Sequence, residues 1–478
     1  MQKTITTLSL IIATALILFW GALHYYKIGE IPYGFHVDEF SGSVTIGCLA
    51  TEGTDAHRIR YPLFADQHYG SPKPPTYIYP GMLWAKIFGS SVASIRVLCV
   101  TVHLLGVIGL FFLARLFFGG RYALLTVLVA SLSPWAWVIS RVGFESFYST
   151  TFLIWGLYFF FKPASHWRMA VAGLFFALAM YAYPPTRMHV PLMLGPLLLY
   201  ARYRSSLSIK AAGVFIAALA VSLIPLILKI LSGEVQGRFN MISIFSKEYL
   251  QSLGKTGTVK DLIEIFINNY LMHLKPAFLF TRGDPSLIHS TGHHGILSWL
   301  DMLGLGIAII FVLLLFVRLR TPNPVAAEKF FLLFCVVNIL IGIAPVGLTN
   351  SELPNSLRIV GAWPFMCLLI GFFLWQACER LWLMWAAVAL TAILFSVSLF
   401  KVYFYVYPQQ SKGMFNFWTL DEANTLKTDE DWLRFIVRYR NDDYHARYFL
   451  MQYKKMGCSD SKSTWDNVRA MAQQQGLQ

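Results

Sequence analysis

Apolar residues in this chain are grouped into long runs that are separated by short polar or basic segments. The runs lie near 5–26, 93–118, 122–140, 147–161, 168–183, 188–201, 211–231, 298–317, 330–347, 358–377 and 381–400. An α-helix rises about 1.5 Å per residue, so about 20 residues cross the ~30 Å hydrocarbon layer of a bilayer. The pattern therefore predicts an all-α polytopic membrane protein with roughly eleven transmembrane helices.

The composition excludes a large water-soluble enzyme. Of the 478 residues, 56% are hydrophobic and only 13% are charged, whereas soluble domains carry about 25% charged residues. The net charge of +14 comes mainly from Lys and Arg in short loops, and no basic stripe is interleaved with aromatic residues. Nucleic acid is therefore not a predicted partner, while membrane lipids are.

Basic residues in alternate loops predict the orientation. These residues are Lys3, Arg115, Arg121, Lys162, Arg168, Arg202, Arg204, Lys210, Arg318, Arg320, Lys329 and Arg380. The positive-inside rule places them in the cytoplasm. A single Lys precedes the first run and no small-residue cleavage site follows it, so we interpret this run as an uncleaved helix. We expect a multi-pass protein of the cytoplasmic (inner) membrane, with its C-terminus on the periplasmic or extracellular side.

The outer side carries the long segments. We predict a transmembrane module over 1–401, with outer loops 27–92 and 232–297, and a small polar C-terminal domain over 402–478. Chemistry is therefore expected outside, where no nucleotide-activated sugar is available. An enzyme working there draws its activated group from a lipid carrier or from its acceptor.

An acidic pair, Asp38-Glu39, follows the first helix. Two adjacent carboxylates among apolar neighbours at a membrane interface are costly, and desolvation with like-charge repulsion raises the pKa of at least one of them. Such a group suits a general base that takes a proton from an acceptor hydroxyl. We propose Asp38 and Glu39 as catalytic candidates; the alternative is a pair of solvated loop charges.

Several outer cations are candidates for binding a phosphate. Lys73 lies in Lys73-Pro74-Pro75, before a predicted helix that is too short to span the membrane. The alternative is a snorkelling lysine, whose apolar stem lies in the membrane while its charge reaches water. Arg141 and Glu145 are four residues apart and form an ion pair if one helix contains both. The remaining candidates are Arg187 and Arg358. Together with the acidic pair, these cations provide the groups needed to displace a phosphate from an anomeric carbon.

The loop around 268–294 contains several histidines, among them His289, His293 and His294. No neighbouring Cys or carboxylate completes a familiar metal-ligand spacing. We therefore predict no metal site and no certain cofactor, and we assign His289 to substrate binding. Six scattered cysteines without a CxxC pair indicate no disulfide framework, and a bridge between Cys48 and Cys458 is left open.

In the order of these motifs, the sequence resembles the polyprenyl-phosphate-dependent GT-C glycosyltransferases, which include protein O-mannosyltransferases and the aminoarabinose transferase of lipid A. The resemblance covers most of 1–400. The motifs on which the resemblance rests are Asp38-Glu39, Lys73-Pro74-Pro75 before Trp84 to Gly89, Ser133-Pro134 through Ser140-Arg141, Phe278 through Ser290, and Pro354 through Arg358.

The resemblance implies a GT-C fold with periplasmic interfacial helices and an outward-facing cavity. Asp38 would be the base, Glu39 its support, and Lys73 with the arginines would hold the carrier phosphate. Some relatives have an acid just before the Lys-Pro pair, where this chain has Pro72. A second acid would therefore come from Glu39 or Glu145. Oligosaccharyltransferase relatives use a metal, but no carboxylate cluster of that kind stands out.

The resulting hypothesis is an inverting hexosyl or pentosyl transferase. Its partners are a polyprenyl-phosphate-linked sugar donor and an envelope glycan, lipid or protein acceptor. An O-antigen ligase or polymerase is the first alternative, because the 268–294 loop offers outer histidines. A polytopic lipid-glycan transporter is the second, although no internal repeat is visible and the charges gather at one interface.

Overall fold

The structure is a computed structural model that describes residues 1–65, 72–162, 165–203, 207–317, 326–438 and 443–474. Among the orientation residues, Arg204, Arg318 and Arg320 lie outside these ranges. In the described ranges the regular secondary structure is helical, apart from isolated β-bridges. The helices are α1 (Gln2–Leu23), α2 (Val37–Glu52), α3 (Pro75–Phe88), α4 (Val92–Ser131), α5 (Pro134–Ser140), α6 (Ser146–Phe161), α7 (His166–Ala182), α8 (Thr186–Tyr203), α9 (Ile209–Leu231), α10 (Gly237–Ile242), α11 (Lys247–Ser252), α12 (Val259–Met272), α13 (Trp299–Val317), α14 (Ala326–Ile343), α15 (Trp363–Arg380), α16 (Leu383–Lys401), α17 (Tyr407–Gln410), α18 (Phe417–Thr425), α19 (Asp429–Arg438), α20 (Asp443–Tyr453) and α21 (Cys458–Gln474).

Six helical segments of the described chain are long and apolar enough to cross a membrane. They are Gln2–Leu23, Val92–Ser131, Ile209–Leu231, Glu328–Leu348, Leu357–Arg380 and Leu383–Gln410. Two shorter apolar helices, Ser146–Phe161 and Trp299–Phe311, accompany them. The all-α polytopic class predicted from the apolar runs is confirmed, and the number of roughly eleven crossings stays a prediction.

The region from α4 to α5 differs from the predicted segmentation. The helix from Val92 to Ser131 is interrupted at Phe118 and Gly119, where Gly119 has a φ of +84°, a conformation that glycine adopts readily. The predicted helix over 122–140 is wrong, because α5 is a separate helix. Ser133 caps α5 by accepting the Ala136 N–H at 3.3 Å, and Pro134 occupies its first position.

The Lys73-Pro74-Pro75 segment begins α3, as its prolines predict. Pro74 is extended and Pro75 opens the helix, where a missing N–H costs nothing. Just before it, Ala65 and Lys73 exchange two backbone hydrogen bonds, at 2.7 and 3.1 Å. This pairing holds the Lys73 backbone against the outer loop.

The polar tail is helical and packs against α2. The Arg447 guanidinium donates to the Ala56 carbonyl at 2.8 Å, and the Tyr448 hydroxyl accepts the Val92 N–H at 3.3 Å. A disulfide joins Cys48 to Cys458, a pairing that the sequence alone left open. The tail therefore braces the helix that carries the acidic pair; its independence as a domain stays a prediction.

Removing the disulfide should destabilise this contact. We expect Cys48→Ala to lower the free energy of unfolding by about 2–4 kcal/mol, because the cross-link restricts the unfolded chain. Thermal unfolding of the protein in nanodiscs, with and without reductant, measures the effect. Reductant should lower the Tm of the wild type and leave that of Cys48→Ala unchanged. A wild-type Tm that does not respond to reductant contradicts the prediction.

Candidate active site

Asp38 lies in the first turn of α2, which His36 caps. The Nδ1 atom of His36 accepts the Asp38 N–H at 3.2 Å, and the Glu39 carboxylate accepts the His36 N–H at 2.8 Å. Because Nδ1 accepts a hydrogen bond, it carries no proton and does not form an ion pair with the Asp38 carboxylate 3.4 Å away. Burial lowers the pKa of His36, although Asp38 and Glu39 oppose the shift.

The structure brings Lys73 and Asp38 into contact. The Lys73 Nζ lies 3.2 Å from the Asp38 Oδ1. The lysine side chain is 4% exposed whereas the aspartate side chain is 38% exposed. The ammonium is buried and the carboxylate is accessible to solvent. This arrangement suits an anionic substrate group that interacts with the ammonium and a hydroxyl group that interacts with the carboxylate.

Glu39 forms a fully buried ion pair with Arg96. The Arg96 Nε and Nη2 donate to the two carboxylate oxygens at 2.6 and 2.8 Å, and the Gly143 N–H donates to Oε1 at 2.9 Å. Both side chains are 0% exposed. Glu39 therefore cannot act on substrate directly, which corrects its assignment as a catalytic group and leaves it the supporting role.

Arg96 was missed by the sequence reasoning. Its remaining N–H groups donate to the carbonyls of Ile28, Pro32 and Gly34, at 2.9 to 3.3 Å. The guanidinium thus holds the whole segment that leads into α2. The sequence did contain a signal for Arg96. It is a positive charge within an apolar run on the predicted outer side, and the positive-inside rule does not explain a charge there.

Arg141 is also used internally. All five of its N–H groups donate within the protein, to the Tyr403 hydroxyl and to the carbonyls of Leu23, His24, Tyr26 and Ile31. No donor is left for a phosphate, and the side chain is fully buried. The phosphate-binding assignment of Arg141 is corrected to that of a clamp on the loop after α1.

The predicted pair between Arg141 and Glu145 does not form. α5 ends at Ser140 and α6 begins at Ser146, so no single helix contains both residues. Glu145 is instead the residue that precedes α6, and the charges of Lys73 and Asp38 act on its carboxyl. Burial raises the pKa of Glu145, Lys73 lowers it and Asp38 raises it further.

Tyr183 joins the site from the end of α7. Burial raises its pKa, and Arg358, Glu145 and Asp38 are the charges that act on its hydroxyl. Arg358 donates to the Thr349 hydroxyl at 3.0 Å and to the Ser351 carbonyl at 2.6 Å.

Arg187 lies farther along the same outer surface. Its Nε donates to the Met180 carbonyl at 3.2 Å, and its guanidinium lies 6.0 Å from the centre of the Phe64 ring. In the described part of the chain it forms no hydrogen bond or ion pair with Asp38, and its backbone partner and ring contact lie on Met180 and Phe64. Its role in anion binding stays a prediction.

His289 faces the site from the second outer loop. The Asp284 Oδ2 lies 3.4 Å from its Nδ1 and accepts hydrogen bonds from the Ser356 N–H and hydroxyl, at 2.7 and 3.0 Å. The Phe144 ring lies 6.0 Å from His289 and 5.3 Å from His36. Phe144 thus lies between the two imidazole rings.

The other histidines of this loop hold the fold together. His273 accepts the Asn355 N–H at 2.8 Å, His293 lies 2.9 Å from the Gln410 Oε1, and His294 lies 3.0 Å from the Ser398 Oγ. Among the described residues, no group of three or more His, Cys, Asp or Glu side chains is arranged to hold a metal ion.

Comparison with known proteins gives a partial family match and a common fold. Residues 72–228, about a third of the chain, match the family model described as dolichyl-phosphate-mannose-protein mannosyltransferase. No curated protein sequence matches the chain.

Two solved structures are similar over most of the chain. The archaeal oligosaccharyltransferase AglB from Archaeoglobus fulgidus, in complex with an inhibitory peptide and a dolichol-phosphate, is 14% identical with a TM-score of 0.50; the match covers 92% of this chain and 60% of AglB. ArnT from Cupriavidus metallidurans, bound to undecaprenyl phosphate, is 13% identical with a TM-score of 0.47; the match covers 97% of this chain and 75% of ArnT. At this identity the AglB match shows a shared fold.

Proposed function

The chain has the fold of the GT-C superfamily, and from this premise we propose that it is an inverting glycosyltransferase. It moves a sugar from a polyprenyl-phosphate carrier to a hydroxyl group of an envelope acceptor. The observation that carries the proposal is the contact between the exposed Asp38 carboxylate and the buried Lys73 ammonium. A dolichol-phosphate in the AglB complex and the dolichyl-phosphate-mannose of the family model support this class of donor.

The reaction is a single displacement. The acceptor oxygen attacks the anomeric carbon while its proton moves to Asp38, and the bond between that carbon and the phosphate oxygen breaks. The polyprenyl phosphate leaves with the bonding electron pair, and the configuration at the anomeric carbon is inverted. A positioned base contributes about 10²–10⁴-fold in rate.

Lys73 serves the leaving group. In the structure its ammonium is paired with Asp38 at 3.2 Å. An arriving phosphate competes for the ammonium, which weakens this pair and leaves the carboxylate available to the acceptor hydroxyl. Because Lys73 is buried, its attraction for the developing phosphate charge is screened less than that of a surface lysine.

Three further groups border the same space. Burial raises the pKa of the Glu145 carboxyl, and this side chain forms a hydrogen bond with a hydroxyl group of the sugar or acceptor. His289, whose Nδ1 lies 3.4 Å from the Asp284 carboxylate, and Tyr183 contact the sugar or acceptor. These assignments replace the acid that relatives place at the position of Pro72.

We place the site outside the cytoplasmic membrane. The acidic pair, Lys73 and the tail lie on the side opposite the short basic loops. The Cys48–Cys458 disulfide supports this placement, because disulfides persist in oxidising compartments such as the bacterial periplasm.

Lys73→Met should weaken donor use. We expect kcat/KM for the polyprenyl-phosphate sugar to fall by about 10²-fold or more, since a buried positive charge opposite the leaving phosphate is lost. Transfer by purified protein in vesicles, measured against donor concentration, tests the proposal. The matched control is Lys86→Met, which removes an exposed lysine of α3, the helix that begins just after Lys73. Equal donor kinetics in both variants would refute the role of Lys73.

A further inference from the structure

The helices α2 and α3 pack closely and run in the same direction. A Cβ added at Gly42 of α2 would lie 2.6 Å from the Tyr77 hydroxyl oxygen of α3. One added at Gly81 of α3 would lie 2.5 Å from the Ile46 side chain of α2. From the first contact to the second, each helix advances by about one turn. The N-terminal ends of the two helices therefore lie side by side.

The Tyr77 side chain connects α3 to the turn between α5 and α6. It is 0% exposed, and its hydroxyl donates to the Gly143 carbonyl at 3.0 Å. The N–H of the same glycine donates to the Glu39 carboxylate at 2.9 Å. One hydroxyl group thus joins α3, the turn that precedes Glu145 and the first turn of α2.

Tyr77 also lies one turn beyond Lys73. Its N–H donates to the Pro74 carbonyl at 3.0 Å, and Pro74 directly follows Lys73 in the chain. Because the prolines at 74 and 75 restrict the backbone of this segment, a shift of the Tyr77 ring moves the Lys73 backbone with it. The position of the lysine ammonium relative to Asp38 therefore depends on where the Tyr77 hydroxyl is held.

We propose that Tyr77 is a positioning residue whose hydroxyl holds the Lys73 ammonium in contact with Asp38. This inference rests on the proposed function, in which these two groups act in sugar transfer. Tyr77 is fully buried, so we assign it no contact with substrate. Alignment of the reacting groups affects the transition state more than substrate binding. Loss of the hydroxyl should therefore lower kcat and leave KM for the donor unchanged.

Tyr79 offers a matched control on the same helix. Its hydroxyl donates to the Pro62 carbonyl at 2.8 Å. Tyr77→Phe and Tyr79→Phe each remove one hydrogen bond from a hydroxyl to a carbonyl, and each keeps the aromatic ring. They differ in the segment that is released, because the Gly143 peptide also contacts α2 whereas Pro62 belongs to the first outer loop.

Cross-linking tests the placement of Lys73 without a transfer assay. A water-soluble carbodiimide activates the Asp38 carboxyl, which is 38% exposed, and a lysine amine in contact with it then forms an amide. Peptide mass spectrometry quantifies this amide in protein held in nanodiscs. We expect Tyr77→Phe to lower its yield by about fivefold, as for the loss of one hydrogen bond, and Tyr79→Phe to keep it within about twofold. A wild-type yield in Tyr77→Phe would overturn the proposal.

Transfer kinetics of the same three proteins complete the test. We expect Tyr77→Phe to lower kcat by about fivefold with an unchanged KM for the donor, and Tyr79→Phe to match the wild type. An unchanged kcat in Tyr77→Phe, or an equal loss in both variants, would overturn the positioning role. A wild type that forms the amide but transfers no sugar would instead refute the proposed function, and the cross-link yields would still decide whether Tyr77 places Lys73.

Discussion

Replacing Asp38 with asparagine should reduce sugar transfer by about 10²–10⁴-fold while the yield of folded protein stays unchanged. Asparagine keeps the size of the side chain but cannot take the acceptor proton. The Asp38 side chain is 38% exposed, and the amide oxygen of asparagine can still accept the hydrogen bond from the buried Lys73 ammonium. The measurement is the single-turnover rate with saturating donor and acceptor.

Glu30→Gln is the matched control for this prediction. Glu30 is an exposed carboxylate in the same outer loop and forms a surface ion pair with Lys27, at 3.5 Å. Its neutralisation should leave the transfer rate within about twofold, as expected for a surface ion pair. Transfer by Asp38→Asn at the wild-type rate would refute the assignment of the base.

Arg96→Met should be the most destabilising single substitution near the site. It leaves the Glu39 carboxylate buried without its cation and leaves three carbonyls, those of Ile28, Pro32 and Gly34, without their donor. Breaking a buried pair by removing one partner costs about 3–5 kcal/mol. We expect a correspondingly lower unfolding midpoint in nanodiscs, together with loss of transfer, since α2 loses its entry segment.

A double variant separates charge burial from packing. Arg96→Met combined with Glu39→Gln removes both charges, so the penalty for an unpaired carboxylate disappears. We expect the double variant to unfold at a higher midpoint than Arg96→Met alone. If the two midpoints coincide, the ion pair is not the source of the stability and the proposed role of Arg96 fails.

Features with local sequence signals were predicted correctly. The start of α3 follows from the two prolines at 74 and 75, whose backbone fixes a helix entry regardless of the rest of the chain. The all-α membrane class follows from runs of apolar residues that need no partner to be recognised. The structure also brings the Asp38 and Lys73 side chains into contact, while their roles in a shared site stay a prediction.

Features that depend on contacts distant in sequence were missed or assigned wrongly. Arg141 reaches the carbonyls of residues more than a hundred positions earlier and the hydroxyl of Tyr403, so its spacing from Glu145 said nothing about its partners. Arg96 meets Glu39 across 57 positions. Cys48 and Cys458 are 410 positions apart. Spacing along a helix predicts neighbours only within one turn or two.

The most direct test of sugar transfer compares the envelope glycans and lipids of a strain that lacks the protein with those of the same strain carrying wild-type or Asp38→Asn protein. Mass spectrometry of the three samples should show one sugar substituent missing in the deletion strain, restored by the wild type and still missing with Asp38→Asn. Identical glycans in the deletion and wild-type samples, or full restoration by Asp38→Asn, would contradict the account.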